Sequence, residues 1–339
     1  MIPRLNVSFP FSKQMLFLFG KRYKPLPGEF LVNHARTGIY LALKAAFPNG
    51  GRVGVIAYNC HTVVNAIVQA GCTPVFLDVT NKLMLNIDSL GQSPCDGIVL
   101  TNLFGIRNDI SLIREKHPSL IIVVDNAHGF GLPVEGDFTV YSINQGKFPS
   151  LGEGGIFKVN NDSYLHKINK YYETLPSYGI VNEALLFIKM QIKAFLYIPT
   201  VYKALTLRIK TRQRPSNYEK RLSLYRMSKG INRMYNKSLS RIGNEIRFQR
   251  QNAEQIKRLV NGQDNVLRVW YGENAFMLIL ECRDVDKQKK WFMDRGIEAD
   301  THFKKCIVWN KDFGYIEGLC PTTEQMVKET LMVPTYRTI

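Results

Sequence analysis

Between Val53 and Val159 the chain alternates short apolar runs with stretches of helical periodicity, and this rhythm restricts the fold more than any other feature. VGVIA (53–57), PVFLDV (74–79), GIVLT at the head of 97–105, LIIVVD (120–125), FTVYSI (138–143) and GIFKV (155–159) each have the length and β-branched content of a strand. Thr62–Ala70 and Asp109–His117 read as helices between them. Strands without an exposed face, joined by helices, imply an α/β fold with a largely parallel sheet covered on both sides. Ligands of such sheets gather at the carboxyl ends of the strands, where Asp125, Ser142 and Lys147 fall.

Around this centre the pattern changes twice. Pro3, Pro10, Pro25 and Pro27 mark residues 1–30 as irregular, whereas HARTGIYLALKAAF (34–47) reads as a turn and then a helix burying Ile39, Leu41, Leu43 and Ala46. From Tyr164 to about Arg258 the chain is helical. It then returns to α+β with VLRVW (266–270), FMLILEC (276–282), a helix at Asp286–Arg295 and GIEADTHF (296–303). The expected division is a large domain over 1–240, with a basic, apolar helical insert at about 170–220, and a smaller α+β domain over 241–339.

Within YSINQGKFPSLGEGGIF (141–157), Lys147 has apolar or small neighbours: Ile143, Gly146, Phe148, Pro149 and Leu151. A lysine held among such residues loses solvation, which disfavours its ammonium and leaves a nucleophilic amine. A surface lysine before a glycine turn is the alternative for the lysine alone. Asp125, at the end of a buried run in VVDNAHGFG (123–131), reads equally as a turn or cap carboxylate when taken alone.

The spacing of Ser142, Lys147 five residues on and Gly152-Glu153-Gly154-Gly155 five after that resembles the cofactor-lysine segment of the DegT/DnrJ/EryC1/StrS aminotransferases. These are pyridoxal 5'-phosphate (PLP) enzymes of fold type I. The resemblance runs over roughly residues 30–338, is patchy between 170 and 220, and lacks the usual final helix after LMVPTY (331–336). It implies that Lys147 carries the cofactor covalently and acts as the proton-transfer base, and that Ser142 contacts the phosphate. Asp125 would pair with the pyridinium nitrogen and His128 would stand where glutamine is commoner, beside the ring oxygen. HARTG (34–38) resembles the family's phosphate-holding helix start, with Ala35 and Arg36 in place of Gly-Thr. Arg36 can contact the phosphate or remain a solvated arginine at the helix start. Cys60, followed by His61, falls where an aromatic usually stacks on the cofactor ring. Adjacent side chains seldom face each other, so the pair is not read as a cysteine-hydrolase dyad. His302, in GIEADTHF, matches a C-terminal landmark and is a candidate substrate contact.

By the same resemblance the activity is transfer of an amino group, from glutamate, to a keto sugar on a nucleotide or lipid carrier, for surface polysaccharide. A homodimer with the active site at its interface is implied, and YRMSKGINRMY (225–235) resembles the helix that crosses it. Leu224 stands where relatives place an asparagine that reaches the partner's phosphate. A PLP-dependent sugar dehydratase of the same family is the second reading, and Lys147 opposes it, because those enzymes typically carry histidine there. A non-catalytic regulator or membrane scaffold is the third.

The net charge is +17, and residues 189–258 carry 18 Lys+Arg against 3 Glu and no Asp, nearly all of the imbalance. Residues 184–214 mix these cations (Lys189, Lys193, Lys203, Arg208, Lys210, Arg212, Arg214) with Leu185, Leu186, Phe187, Phe195, Leu196 and Tyr197. The lysines and Pro199 exclude a continuous spanning helix. A dimer-interface or lid helix pair, an element on an anionic membrane surface and a nucleic-acid face compete, the last without any recognition motif. Six scattered cysteines without CxxC spacing suggest neither zinc nor disulfides, so no metal is expected. Met15–Phe19 is too short for a secretory h-region. A cytoplasmic protein, peripheral on the inner face of the membrane in the second of these readings, is the expectation.

Overall fold

The computed structural model describes residues 1–3, 9–208 and 221–337. In chain order the first part contains α1 (Phe11–Phe19), β1 (Glu29–Val32), α2 (Ala35–Ala46), β2 (Arg52–Ile56), α3 (His61–Gln69), β3 (Thr73–Leu77), α4 (Ile87–Gln92), β4 (Gly97–Thr101), α5 (Ile110–Lys116), β5 (Ile121–Asn126), β6 (Phe138–Ser142) and β7 (Gly155–Val159). Helices α6 (Leu165–Thr174), α7 (Ile180–Leu196), α8 (Pro199–Arg208), α9 (Lys229–Ser238) and α10 (Ile242–Val260) follow. The last part holds β8 (Val266–Tyr271), β9 (Met277–Cys282), α11 (Val285–Asp294), α12 (Cys306–Lys311), α13 (Pro321–Glu329) and β10 (Thr330–Pro334).

Seven strands make one sheet in the order β1-β7-β6-β5-β4-β2-β3. The run from β6 to β3 is parallel throughout, and β7 is antiparallel to both β6 and β1. Side chains alternate between two cores, as the period of two requires. Ile98, Leu100, Ile122 and Val124 face one core with Ile113 of α5; Val53, Val55, Val99 and Val123 face the other, beneath α2 and α3. Neither face is left to water, which is why these strands read as uninterrupted apolar runs. β8, β9 and β10 form a second, antiparallel sheet in the order β10-β9-β8, with a core of its own that includes Ile256, Leu278, Phe292 and Val333.

Side-chain links, two of them through Asp78 and Asn274, help to fasten the second sheet to the first. The Asp78 carboxylate, just past β3, accepts from the backbone N–H groups of Thr322 (3.0 Å) and Thr323 (2.7 Å) in the first turn of α13. Asn274, in the β8–β9 loop, donates to the carbonyl oxygens of His128 (2.8 Å) and Phe130 (3.2 Å).

The N-terminal segment departs from expectation, because α1 occupies part of the stretch read as irregular. All four prolines lie outside Phe11–Phe19, and α1 is held by tertiary contact: Phe17 is buried against α9 and Phe187, and its carbonyl accepts from Arg233 at 3.0 Å. Ala46 is half-buried, while Ile39, Leu41 and Leu43 are buried as expected. Of the basic insert, Lys210, Arg212 and Arg214 lie outside the described residues.

Candidate active site

The carboxyl ends of β4, β5 and β6 and the start of α2 surround a hollow of about 220 Å³. Lys147, Asp125, His128 and Ser142 line it, together with Ala35, Arg36 and Cys60. Parallel pairing puts Thr101 of β4 opposite Asp125 of β5, so two polar side chains arrive at the same level. Asp125 is 2% exposed. Its carboxylate accepts from the Thr101 hydroxyl (3.1 Å) and the Ala127 N–H (2.9 Å), and Asn59 in turn donates to Thr101 Oγ1 at 2.9 Å. Burial raises its pKa against the opposing pull of those hydrogen bonds and of Lys147. A carboxylate in that position gains from any cation brought into the hollow.

Lys147 Nζ lies 2.6 Å from His128 Nε2. The other ring nitrogen, Nδ1, accepts from the Phe104 N–H at 3.3 Å, which assigns the ring proton to Nε2. His128 therefore donates to Lys147, whose amine must offer a lone pair. Burial lowers the pKa of Lys147 and outweighs the Cys60 and Asp125 charges that would raise it. Burial also takes His128, 3% exposed, well below its ordinary value, assisted by the Lys147 and His302 charges. Both shifts run toward the neutral amine and imidazole that this hydrogen bond requires. The His128 ring stacks on Phe104 and on Phe276, with ring centroids 5.1 and 5.0 Å away.

At the opposite wall, Asn144 Oδ1 accepts from the Gly154 N–H (2.8 Å), leaving its amide to donate to His34 Nδ1 (3.1 Å). Burial, then the Arg36 charge, hold His34 down at about 3. His34 is the N-cap of α2 without using its side chain as a cap, and Ala35 and Arg36 open the helix on the hollow. Backbone N–H groups at such a start favour an anion. Strand β7 comes so close that a Cβ on Gly155 would stand 2.5 Å from the Ala35 nitrogen. Glycine is required there for the sheet to approach the helix start.

Cys60 and His61 share less than their adjacency suggests, and in one respect more. Cys60 lines the hollow, whereas His61 lies outside that lining with its ring 5.0 Å from Trp309. His61 is nonetheless near enough to act on the Cys60 thiol. Cys60 is the last residue before α3, and His61 is the first within it. Burial would raise the Cys60 thiol, but His61, the Thr62 hydroxyl (3.1 Å) and Lys147 hold it at about 7.

His302 stands behind the hollow, edge-on to His128 at 5.4 Å and to Phe104 at 5.5 Å, and is not among the lining residues. The lining residue of that segment is Phe303. Leu224 packs against the core beneath α2 and α3. Sequence reasoning missed Thr101, Asn59, Asn144 and Gln145. Thr101 was accessible to it, as the last residue of a parallel strand beside Asp125. Asn144 and Gln145 are set by the loop between Ser142 and Lys147, which carries no periodicity. Among the described residues no group of three or more His, Cys, Asp or Glu side chains is placed to hold a metal ion.

Known proteins resemble this chain in part of its sequence and in its fold. GDP-perosamine synthase of Vibrio cholerae is 26% identical over 167 residues, 43% of this chain and 46% of that protein. The same enzyme of Escherichia coli is 29% identical over 149 residues, 40% of this chain and 41% of that protein. The chain thus spans less than half the length of the curated relatives it matches. A crystal structure of a sugar aminotransferase from Micromonospora echinospora superposes with a TM-score of 0.73 at 16% identity, over 99% of this chain and 95% of that one. GDP-4-keto-6-deoxymannose-3-dehydratase with a trapped PLP-glutamate geminal diamine also gives 0.73 at 16% identity, over 100% and 97%; at these identities the likeness is one of fold. The sequence profile that matches residues 30–339 settles the family, and the chain belongs to the DegT/DnrJ/EryC1/StrS aminotransferases.

Proposed function

We propose that this chain is a PLP-dependent aminotransferase that moves an amino group from an amino acid, glutamate in the first instance, to a keto sugar. The family is PLP-dependent, with solved neighbours in PMP and PLP-glutamate forms. The observation that carries the reading is the Lys147 amine, 2.6 Å from His128 Nε2, in a hollow whose floor is a buried carboxylate. The donor set suits the cofactor: an amine for its aldehyde, a carboxylate for its ring nitrogen, and a helix start with Ser142 and Arg36 for its phosphate. When bound, the cofactor supplies an electron sink for breaking a C–H bond. Asp125 stabilises positive charge at the ring nitrogen, with Thr101 and Ala127 fixing its orientation. His128 aims the Lys147 amine, and Lys147 Nζ takes and returns the proton of the reacting carbon. Cys60 and Phe303 bound the hollow and help to exclude water.

Purified protein given PLP should absorb in the visible and lose the band on borohydride reduction, with the cofactor mass fixed on the peptide containing Lys147. Lys147→Ala should show neither and should lose at least about 100-fold in amino transfer. A visible band and trapped mass that survive this substitution overturn the assignment. The proposal includes a homodimer, supported by the resemblance of Tyr225–Tyr235 to the family's interface helix, and a peripheral position on the inner face of a membrane through α7 and α8.

A further inference from the structure

A cavity of about 400 Å³ lies behind the loop that carries Lys147, bordered by α1, the end of α9 and the first turns of α10. Small-ligand sites run from about 300 to about 1,000 Å³. Phe148, Pro149, Ser150 and Leu151, which follow Lys147 directly, form one wall, and Leu16 and Met234 extend its apolar lining. Ser150 ties that wall down: its hydroxyl accepts from the Gly146 N–H (3.3 Å) and its carbonyl oxygen from Lys13 Nζ (3.4 Å). Among the described residues none lines both this cavity and the Lys147 hollow. The polar groups opposite come from α10. Arg241, its N-cap, then Glu245 and Gln249 follow at intervals of four residues and so stand one above another. Gln249 is 4% exposed, and its buried Oε1 has no hydrogen-bond partner. An acceptor left unmade in the interior is destabilising, so this one calls for a donor from outside the chain. A half-turn of the amide exchanges its two ends, which lets the oxygen face the cavity. Burial raises the pKa of Glu245 against the charges of Lys13 and Arg241, so its carboxylate gains from a further cation. Arg241 and Lys237 are exposed members of the lining and supply donors for an anion.

We propose that this cavity is an effector site for a free amino acid with an apolar side chain. The ammonium donates to Gln249 Oε1 and the Glu245 carboxylate, the α-carboxylate accepts from Arg241 and Lys237, and the side chain packs against Phe148, Leu16 and Met234. Acceptors and donors one helical turn apart suit a zwitterion, whose two charges are a few ångströms from each other. The site is separate from the one that the amino donor occupies and does not depend on the aminotransferase reading. An amino acid bound there presses on the segment next to Lys147, so its presence is felt at the catalytic lysine.

The test is calorimetric titration of L-phenylalanine into holoenzyme whose cofactor has been fixed on Lys147 with borohydride, so that no amino acid can react there. Wild type should bind it. N-acetyl-L-phenylalanine, without the ammonium, and phenethylamine, without the carboxylate, should each bind at least about tenfold more weakly. Gln249→Leu should also lose about tenfold, yet melt no lower than wild type, because it deletes the unmet acceptor; a glutamine with a merely structural role would lower the melt. Arg241→Gln should lose about tenfold, and Arg247→Gln, an exposed position of the same helix outside the lining, should match wild type. The fluorescence of the reduced cofactor should change along the same titration. Wild type that ignores L-phenylalanine, analogues that bind as well as it does, or a Gln249→Leu protein that binds it equally well overturns the site, and binding without the fluorescence change overturns the effector role. A protein that takes up no cofactor would instead overturn the aminotransferase reading, and its calorimetric titration still reads this site.

Discussion

Lys147 and His128 fix each other's protonation. With Nδ1 of His128 engaged by a backbone N–H, only a neutral lysine can accept the proton on Nε2. Cys60 lies in the same hollow, and its thiol is the exception among the cysteines: burial raises the pKa values of Cys72, Cys95, Cys282, Cys306 and Cys320, while that of Cys60 is held at about 7. Because the thiolate is the reactive form, alkylation follows its fraction. Below pH 7 the thiol is protonated and slow to react; above it the rate should level off, with a midpoint about 1.5 pH units below that of an unperturbed cysteine. In cofactor-free protein, iodoacetamide should therefore modify the Cys60 peptide first, as read by mass spectrometry from about pH 5.5 to about pH 9, and saturating PLP should protect it. A midpoint at the ordinary thiol value, or modification unaffected by PLP, would remove Cys60 from the cofactor wall.

At the scale of elements, the loop between β8 and β9 clamps the active-site loops after β4 and β5. Glu273 N donates to the Gly105 carbonyl at 2.8 Å, and Asn274 bonds the backbone on both sides of His128's own turn. Gly272 makes this approach possible, since a Cβ there would sit 2.1 Å from the Gly105 carbonyl carbon. Backbone cannot yield as a flexible side chain does. Gly272→Ala should thus cost about 1–3 kcal/mol of stability, the range for overpacking a filled core, and weaken PLP binding because Phe104 and His128 shift with the clamp. A thermal melt with and without PLP reads both effects; a variant that keeps wild-type stability and affinity would show that the clamp is not rigid. This clamp illustrates what the sequence leaves hidden. The strands are readable because the sheet is covered on both faces, and Asp125, Ser142 and Lys147 because local spacing carries them. Phe104, Asn274 and Asn144 act through long-range approaches between loops, and α1 through Phe17 packing against Gly230 and Phe187. No local propensity encodes such contacts. The segment around His302 is legible in the sequence, but the loop turns Phe303 rather than His302 to the hollow.

For the whole molecule, the distribution of charge and exposed apolar surface is the feature that the fold leaves unabsorbed. No single described helix is long and apolar enough to cross a membrane; α7 together with Pro199–Leu205 meets that test only as a pair bent by 78°. The exposed side chains of α7 follow Val181, Leu185, Ile188, Ile192 and Phe195, a three-and-four spacing that forms one stripe. α1 lies alongside, with Phe17 and Phe187 rings 5.3 Å apart and Phe11 and Phe19 exposed. A stripe of this size on a chain whose cations cluster from Lys189 onward matches an anionic leaflet in both chemistry and sign. Burying three of these side chains contributes about 1.5–3 kcal/mol each, and each nearby Lys or Arg about 1 kcal/mol. A total of about 8 kcal/mol corresponds to micromolar attachment. The protein should float with vesicles containing phosphatidylserine at moderate salt. Ile188→Glu with Phe195→Glu should leave it at the bottom, whereas raised salt alone should weaken flotation without abolishing it, since the apolar contribution is unscreened. Wild-type protein that stays at the bottom of the gradient would leave the stripe without a membrane role.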